Sequence, residues 1–157
     1  MIGPLRSMLF RRQSGSAAIE LALVLPILFI LMTVPLFFAR YFWHYTAAQK
    51  AAQDAARYLA TISVREMRSA TLSATAGEIA HGIAEEEIAD LSPGKDAPTI
   101  DVRCGLRPCN GYGAVAMPET IVVTVSMNMV DNVFGAVGTG FYGWPIVARA
   151  EVPYVGR

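Results

Sequence analysis

The apolar and polar positions of the chain separate a long apolar segment near its start from amphipathic segments that follow. From residue 21 to residue 39 no side chain is charged, which makes a run of 19 residues. As an α-helix this run is about 28 Å long, close to the hydrocarbon thickness of about 30 Å. No polar stripe interrupts it, which disfavours a helix on the surface of a soluble core. The pattern predicts a transmembrane helix over residues 16–40.

The helix is predicted to continue beyond the membrane over residues 41–60. Alanines recur there at four-residue spacing in two adjoining series, which places them on one side of a helix. Such small-residue ridges allow close helix packing, either on the chain's own domain or on another subunit. Lys50 and Asp54 lie four residues apart on the other side. The two ridges are Ala47, Ala51, Ala55 and Ala48, Ala52, Ala56.

The remaining residues, 61–157, predict a small α+β domain. Helical spacing of apolar residues indicates a second helix over 76–91, with Thr75 and Glu78 as a capping box and 92–94 as its stop. Alternating apolar and polar residues indicate strands at 100–104, 119–129 and 146–152. Pro153 suits the end of an edge strand. We expect a three-stranded antiparallel sheet packed against helix, whereas residues 61–75 favour neither helix nor loop.

Two prolines, Pro26 and Pro35, interrupt the apolar run. Each lacks an amide hydrogen and clashes with the carbonyl four residues earlier, so kinks or local melting are expected. Membrane helices also tolerate proline because other groups satisfy the freed carbonyls. Tolerance is the simpler interpretation for Pro35, and both interpretations stay open for Pro26.

Charge adds the orientation of the membrane helix. The formal net charge is zero, but residues 1–15 carry three arginines and no acid, while residues 40–157 carry 10 basic and 12 acidic side chains. Positive charge stays on the cytoplasmic side. We therefore expect a basic cytoplasmic leader over 1–15 and a domain outside the cytoplasm. The balance and the 17% charged residues disfavour a nucleic-acid partner.

A cleaved secretory signal is the alternative to a retained anchor. Thr46-Ala47-Ala48 imitates a small-residue cleavage site. The apolar run is longer than the usual 7–15 residues of a signal peptide, and the site lies well beyond its end. The aromatic residues between them are typical of a membrane interface. They are Tyr41, Phe42, Trp43 and Tyr45.

Candidate chemistry is sparse. Cys104 and Cys109 are predicted to form a disulfide closing a short loop in an oxidising compartment. Two cysteines are too few for a four-cysteine zinc site, and His44 and His81 are most simply interfacial or surface residues. Consecutive glutamates at 85–87 point in different directions on a helix and predict a solvated face. Residues 138–143 match GxGxxG literally but lack the strand–helix context, and 131–145 instead predicts a loop. We expect no enzyme, no metal and no cofactor.

Glu20 is the charged residue that opens the apolar run. It is the only charge between Arg12 and Arg40. A carboxylate next to hydrocarbon is costly and suggests a function, although an acid also suits headgroup depth at a helix N-terminus. Both interpretations fit Glu20 on physical grounds alone.

The neighbourhood of Glu20 carries a family resemblance. A basic leader, then Gly15, then an acid five residues later resembles the processing site of type IV pilins and pseudopilins. The longer window 15–26, followed by the alanine-rich 51–57, resembles the TadE-like family of tight-adherence (Flp) pilus assembly. The resemblance implies a bacterial inner-membrane protein with a periplasmic, pilin-like domain.

The resemblance also implies roles for particular residues. A prepilin peptidase would cut between Gly15 and Ser16, and Glu20 would pair with the terminal amine of a neighbouring subunit. Pilins of this system usually carry an aromatic residue after the glutamate, whereas this chain has Leu21. Cleavage therefore stays open, and a simple signal-anchored protein is the other form.

The expected function is that of a TadE-like minor pseudopilin or of a pilus or secretion assembly component. It would act through helix–helix association at the inner membrane, with the bilayer and other pilin-like subunits as partners. The alternative is a single-pass, membrane-anchored periplasmic binding or sensing module unrelated to filaments.

Overall fold

The structure is a computed structural model that describes residues 14–91, 96–113, 116–129 and 143–156. Contacts divide the chain into two compact units, Met1–Phe37 and Phe38–Arg157. We call the second unit the globular domain. The fold is α+β, with a long apolar N-terminal helix and a small domain that contains an antiparallel sheet.

Helix α1 runs from Ser14 to Thr61 and contains both Pro26 and Pro35. Its helical backbone is continuous through both prolines, so the local melting considered above does not occur. Between them, the hydroxyl of Thr33 donates a hydrogen bond to the carbonyl of Phe29 at 2.7 Å. A kink at either proline stays a prediction. The continuation of the helix beyond residue 40 is confirmed.

The second helical region begins earlier than the sequence pattern predicted. Helix α2 spans Val64–Arg68 and helix α3 spans Ala70–Ile88, followed by a 3₁₀ turn at Ala89–Leu91. Thr75 is not a cap, because it lies inside α3 and its hydroxyl donates to the carbonyl of Thr71. The predicted stop at 92–94 lies outside the described residues.

The actual capping box is at α2. The Ser63 hydroxyl accepts from the amide of Glu66, and the Glu66 carboxylate accepts from the amide of Ser63 at 2.9 Å. Hydrogen bonds from the Ser63 hydroxyl and then from its amide lower the pKa of Glu66. Ser69 caps α3 in turn, so the undecided stretch 61–75 is two helix starts in close succession.

The sheet has four strands, not the three predicted. They are β1 (Thr99–Cys104), β2 (Arg107–Pro108), β3 (Thr120–Met129) and β4 (Trp144–Pro153), in the order β2-β1-β3-β4 with antiparallel neighbours. The missed strand β2 has only two residues, too few for an alternating pattern. It folds back on β1 through Gly105, whose φ of +64° suits glycine. Pro153 ends the edge strand β4, as expected.

The core of the globular domain lies between one face of the sheet and the helices. On β3 alternate side chains from Ile121 to Met129 are buried, and on β4 the same holds for Ile146, Ala148 and Ala150. Leu59 of α1, Met67 of α2 and Ile88 of α3 are almost completely buried. The opposite face of the sheet is polar and partly exposed, as in antiparallel sheets with one solvated side.

The part of α1 inside the globular domain lies along the outer edge of β4. The hydroxyl of Tyr41 points to the carbonyl of Pro145 at 3.4 Å, and the side-chain amide of Gln49 donates to the carbonyl of Arg149 at 3.1 Å. Further along, the amide of Val155 donates to the carbonyl of Ala60 at 3.1 Å. The helix therefore covers an edge that would otherwise present unpaired backbone groups.

Candidate membrane and assembly site

The first turns of α1 hold the predicted processing and assembly residues. Gly15 and Glu20 are exposed, and Ser16 is the third residue of α1. A side chain at Gly15 would meet no atom within 4 Å. Ser16 and Glu20 are one helical turn apart, so both belong to one helix face.

The apolar side chains of α1 are exposed over most of the membrane-length run. Large side chains from Ile19 to Leu36 are exposed, with Leu23 at 68%, Phe29 at 70% and Leu31 at 67%. Its most apolar 18-residue window has a mean hydropathy of 2.7, and 6% of that window is buried. A helix with apolar side chains all round its surface, and so little of it buried, has the length and composition to cross a membrane.

The two alanine ridges pack inside the chain. Ala48, Ala51, Ala52, Ala55 and Ala56 have no exposed surface, and Ala47 is half-buried. Of the two packing partners considered from the sequence, the chain's own globular domain is the one observed. Small side chains let α1 approach the domain core closely. A second subunit could reach these alanines only if the domain opened.

His44 is buried, with 2% of its surface exposed, so its expected place at an interface or on the surface is wrong. Its Nε2 lies 2.9 Å from the carbonyl oxygen of Leu91, and its Nδ1 lies 2.8 Å from that of Arg40. Sequence patterning missed this role because a histidine shows no preference for a helix face, and its partner is a backbone carbonyl 47 residues away. His81 is exposed as expected, 3.7 Å from Glu85.

Lys50 joins α1 to α3 at the surface of the globular domain. Its Nζ lies 2.6 Å from Oε1 of Glu87 and 3.4 Å from Asp54, the predicted i,i+4 partner. The hydrogen bond that Lys50 donates to Glu87 is the main cause of a raised pKa of Lys50, and Asp54 adds to it. Glu85, Glu86 and Glu87 are exposed, as predicted for a solvated face. Screening by solvent limits how much such pairs stabilise the fold.

Cys104 and Cys109 form the predicted disulfide. Both are buried, and the sulfur of Cys104 contacts that of Met67 at 3.9 Å, a packing contact because a disulfide sulfur has no hydrogen to donate. A side chain at Gly77 of α3 would lie 3.7 Å from Cys109. The disulfide loop therefore forms part of the core between β1, α2 and α3.

The structure brings Tyr41 and Trp144 together. Their ring centroids are 6.3 Å apart at an interplanar angle of 73°, an edge-to-face pair. Residues 131–145 were predicted as a loop. The structure assigns Trp144 and Pro145 to β4, while 130–142 lie outside the described residues. No local pattern links two residues so far apart in sequence.

Within the described ranges no group of three or more His, Cys, Asp or Glu side chains could hold a metal ion. The GxGxxG match at 138–143 lies outside the described residues except for Gly143, which directly precedes β4.

A known protein family matches the N-terminal part of the chain that contains the apolar run. The model of the family described as TadE-like protein matches residues 15–57, a little over a quarter of the chain. The family recognition made from Gly15, Glu20 and the alanine-rich segment is thereby confirmed over these residues. TadE-like proteins are components of Tad pilus assembly and are not an enzyme family. No curated protein and no solved structure is significantly similar to the chain.

Proposed function

We propose that this protein is a TadE-like minor pseudopilin or assembly component of a tight-adherence pilus system. It is a single-pass protein of the bacterial inner membrane, with residues 1–15 in the cytoplasm and the globular domain in the periplasm. The observation that carries the proposal is the family match over 15–57, which begins at Gly15 and includes the whole apolar run. The length and exposure of that run support the anchor.

Glu20 is the proposed assembly contact. It precedes the apolar run and lies one turn after Ser16 on α1. If a prepilin peptidase cuts after Gly15, the new amine at Ser16 carries a positive charge. Pairing of this amine with Glu20 of a neighbouring subunit neutralises two charges that are costly near hydrocarbon. In the uncut form, Glu20 remains the acid available to a cationic group of a partner at headgroup depth.

The exposed surface of α1 is the part available for contact with a helix of another subunit. The alanine ridges are buried in the globular domain, so we assign association to the exposed side chains of the apolar run. Apolar side chains alone give little preference for helix over lipid, because lipid tails are equally apolar. The polar contact through Glu20 is therefore expected to supply the specificity.

Co-purification from cells that express the complete pilus system tests this proposal. The tagged full chain is extracted from membranes with mild detergent, and the recovered pilus subunits are quantified. Glu20→Gln keeps the shape of the side chain but removes its charge, and it should insert normally while recovering several-fold less of the subunits. Glu86→Gln is the matched control, because it makes the same change at an exposed position of α3.

Equal recovery with Glu20→Gln and Glu86→Gln would contradict the role of Glu20. Failure of the unaltered chain to recover any pilus subunit would contradict the pilus function and favour a membrane-anchored binding or sensing module.

A further inference from the structure

The N-terminal end of β4 lies beside the aromatic segment of α1. The hydroxyl of Tyr41 points to the carbonyl of Pro145, and the rings of Tyr41 and Trp144 are in edge-to-face contact. Phe42 contacts Tyr41 in the same manner, at 6.1 Å between ring centroids. We call Tyr41, Phe42, Trp43 and Trp144 the aromatic end of the globular domain.

The aromatic end is exposed although its side chains are large. Trp43 is 64% exposed, Phe42 60% and Trp144 42%. Pro145 and Val147, which lie on the other face of β4 from Trp144, are exposed too. Soluble surfaces seldom present clustered aromatic side chains, whereas membrane–water interfaces are enriched in tryptophan and tyrosine.

The position of Tyr41 along α1 sets the depth of this cluster. Tyr41 follows the last uncharged residue of the apolar run, Ala39, by two residues, or about 3 Å of helix. The headgroup layer on each side of the hydrocarbon is about 5–7 Å thick. The ring centroid of Trp144 is 6.3 Å from that of Tyr41, so Trp144 can reach that layer when the hydrocarbon ends near Ala39.

We propose that the globular domain docks on the lipid headgroup layer through its aromatic end, with Trp144 as a second membrane contact supplied by the sheet. This inference rests on the membrane anchor of the proposed function. The occupant is assigned as lipid because Tyr41, Phe42 and Trp43 directly follow the apolar run in the sequence, where a membrane-spanning helix meets the headgroup layer. An indole ring suits that layer, since its body is apolar and its N–H is a donor.

Docking would orient the sheet relative to the membrane. The strands would extend away from the bilayer, because β4 advances along α1 from the Tyr41–Pro145 contact to the Gln49–Arg149 contact. Val152, near the far end of β4, is about 27 Å from Trp144 along the strand. The turn between β1 and β2 lies at that far end, since Cys104 pairs through Ile121 with Val152. Leu106 in this turn is completely exposed.

Tryptophan fluorescence of the full chain in vesicles tests the inference, because Trp43 and Trp144 are the only two tryptophans. Trp43→Phe leaves Trp144 as the single fluorophore, and Trp144→Phe leaves Trp43. A third variant adds Leu106→Trp to both changes and serves as the far-end control. Each is reconstituted in phosphatidylcholine vesicles brominated at carbons 6 and 7 or at carbons 11 and 12. Acrylamide is the aqueous quencher.

We expect the shallow bromines to quench Trp144 more than the deep bromines do. We also expect Trp144 to be several-fold less accessible to acrylamide than the tryptophan introduced by Leu106→Trp. Suppose the chain floats with the vesicles and lipid quenches Trp43, yet acrylamide has full access to Trp144. That result would overturn the docking of the globular domain and would leave the membrane anchor standing. Shielding of Trp144 from both lipid and acrylamide would also overturn docking, by assigning the cover to protein. A chain that does not float with vesicles would overturn the anchor as well.

Discussion

His44 joins helix α1 to the end of the α3 region through the backbone of Leu91, with 2.9 Å between Nε2 and the carbonyl oxygen. Both residues are buried. A carbonyl oxygen only accepts hydrogen bonds, so the imidazole donates to Leu91 in the tautomer that carries its hydrogen on Nε2. The bond holds the part of α1 next to the predicted membrane interface to the rest of the globular domain.

Removal of the His44 side chain should destabilise the globular domain. His44→Ala leaves the buried carbonyl of Leu91 without its donor, which costs about 1–3 kcal/mol. Thermal unfolding of the full chain in detergent, followed by near-ultraviolet circular dichroism, measures the change. His81→Ala is the matched control, because exposed His81 contributes within about 0.5 kcal/mol. Equal unfolding temperatures for the two variants would contradict the role of His44.

Tyr154 should make stability fall at alkaline pH. Its hydroxyl donates to the carbonyl of Ile62 at 3.0 Å, and burial first, then the negative charge of Glu66, raise its pKa above the usual 10. A raised folded pKa means that this contribution is complete below pH 10 and is lost as pH rises through the folded value. Tyr154→Phe removes the titrating group.

Chemical unfolding of the unaltered chain and Tyr154→Phe between pH 8 and about pH 11.5 measures this linkage. The advantage of the unaltered chain, about 1 kcal/mol at neutral pH, should shrink above pH 10. A difference that stays constant over the whole range would show that Tyr154 does not titrate with folding.

Two glycines should respond in opposite directions to alanine. Gly143 has a φ of +121°, and a Cβ there would lie 2.6 Å from the carbonyl oxygen of Met129. Gly143→Ala should therefore destabilise the β3–β4 pairing by about 1–3 kcal/mol. Gly82 lies exposed within α3 with nothing near its Cβ position, so Gly82→Ala should stabilise by about 1 kcal/mol. Shifts of the same sign in denaturant midpoint would contradict this assignment.

The disulfide gives a test of the compartment. Cys104 and Cys109 stay oxidised outside the cytoplasm but would be reduced inside it. Protein from cells quenched with acid and denatured should react with a maleimide only after reduction. The double variant Cys104→Ser, Cys109→Ser should not react in either case. Labelling of the unaltered chain before reduction would contradict a periplasmic domain.

The disulfide also contributes to stability. For a loop this short, it stabilises the folded domain by about 2 kcal/mol.

Periodic patterns predicted the long elements well. The apolar run and its alanine-rich continuation form α1, and the alternation over residues 120–129, interrupted at Val122, forms β3. Short elements carried too little periodicity to be predicted. Strand β2 depends on the turn at Gly105, and the Ser63–Glu66 capping box precedes a helix of only five residues. The box at Thr75 and Glu78 had the right spacing but lay inside a longer helix.

The candidate site was predictable where it is continuous in sequence. Gly15, Glu20 and the apolar run lie within one helix, so a family pattern can include all of them. The contacts of His44 with Leu91 and of Tyr41 with Trp144 depend on how strands and helices meet in space. Burial of the alanine ridges likewise depends on the shape of the domain, which helical spacing alone does not specify.

The N-terminus of the membrane-extracted protein, read by mass spectrometry, tests the retained anchor most directly. We expect a chain that begins at Met1 or, after prepilin processing, at Ser16, and that keeps residues 16–40 in both cases. Ala48 is completely buried inside α1, so cleavage there would cut the helix within the domain core. A mature chain that begins at Gln49 would lack the apolar run and would contradict a membrane-anchored pilus component.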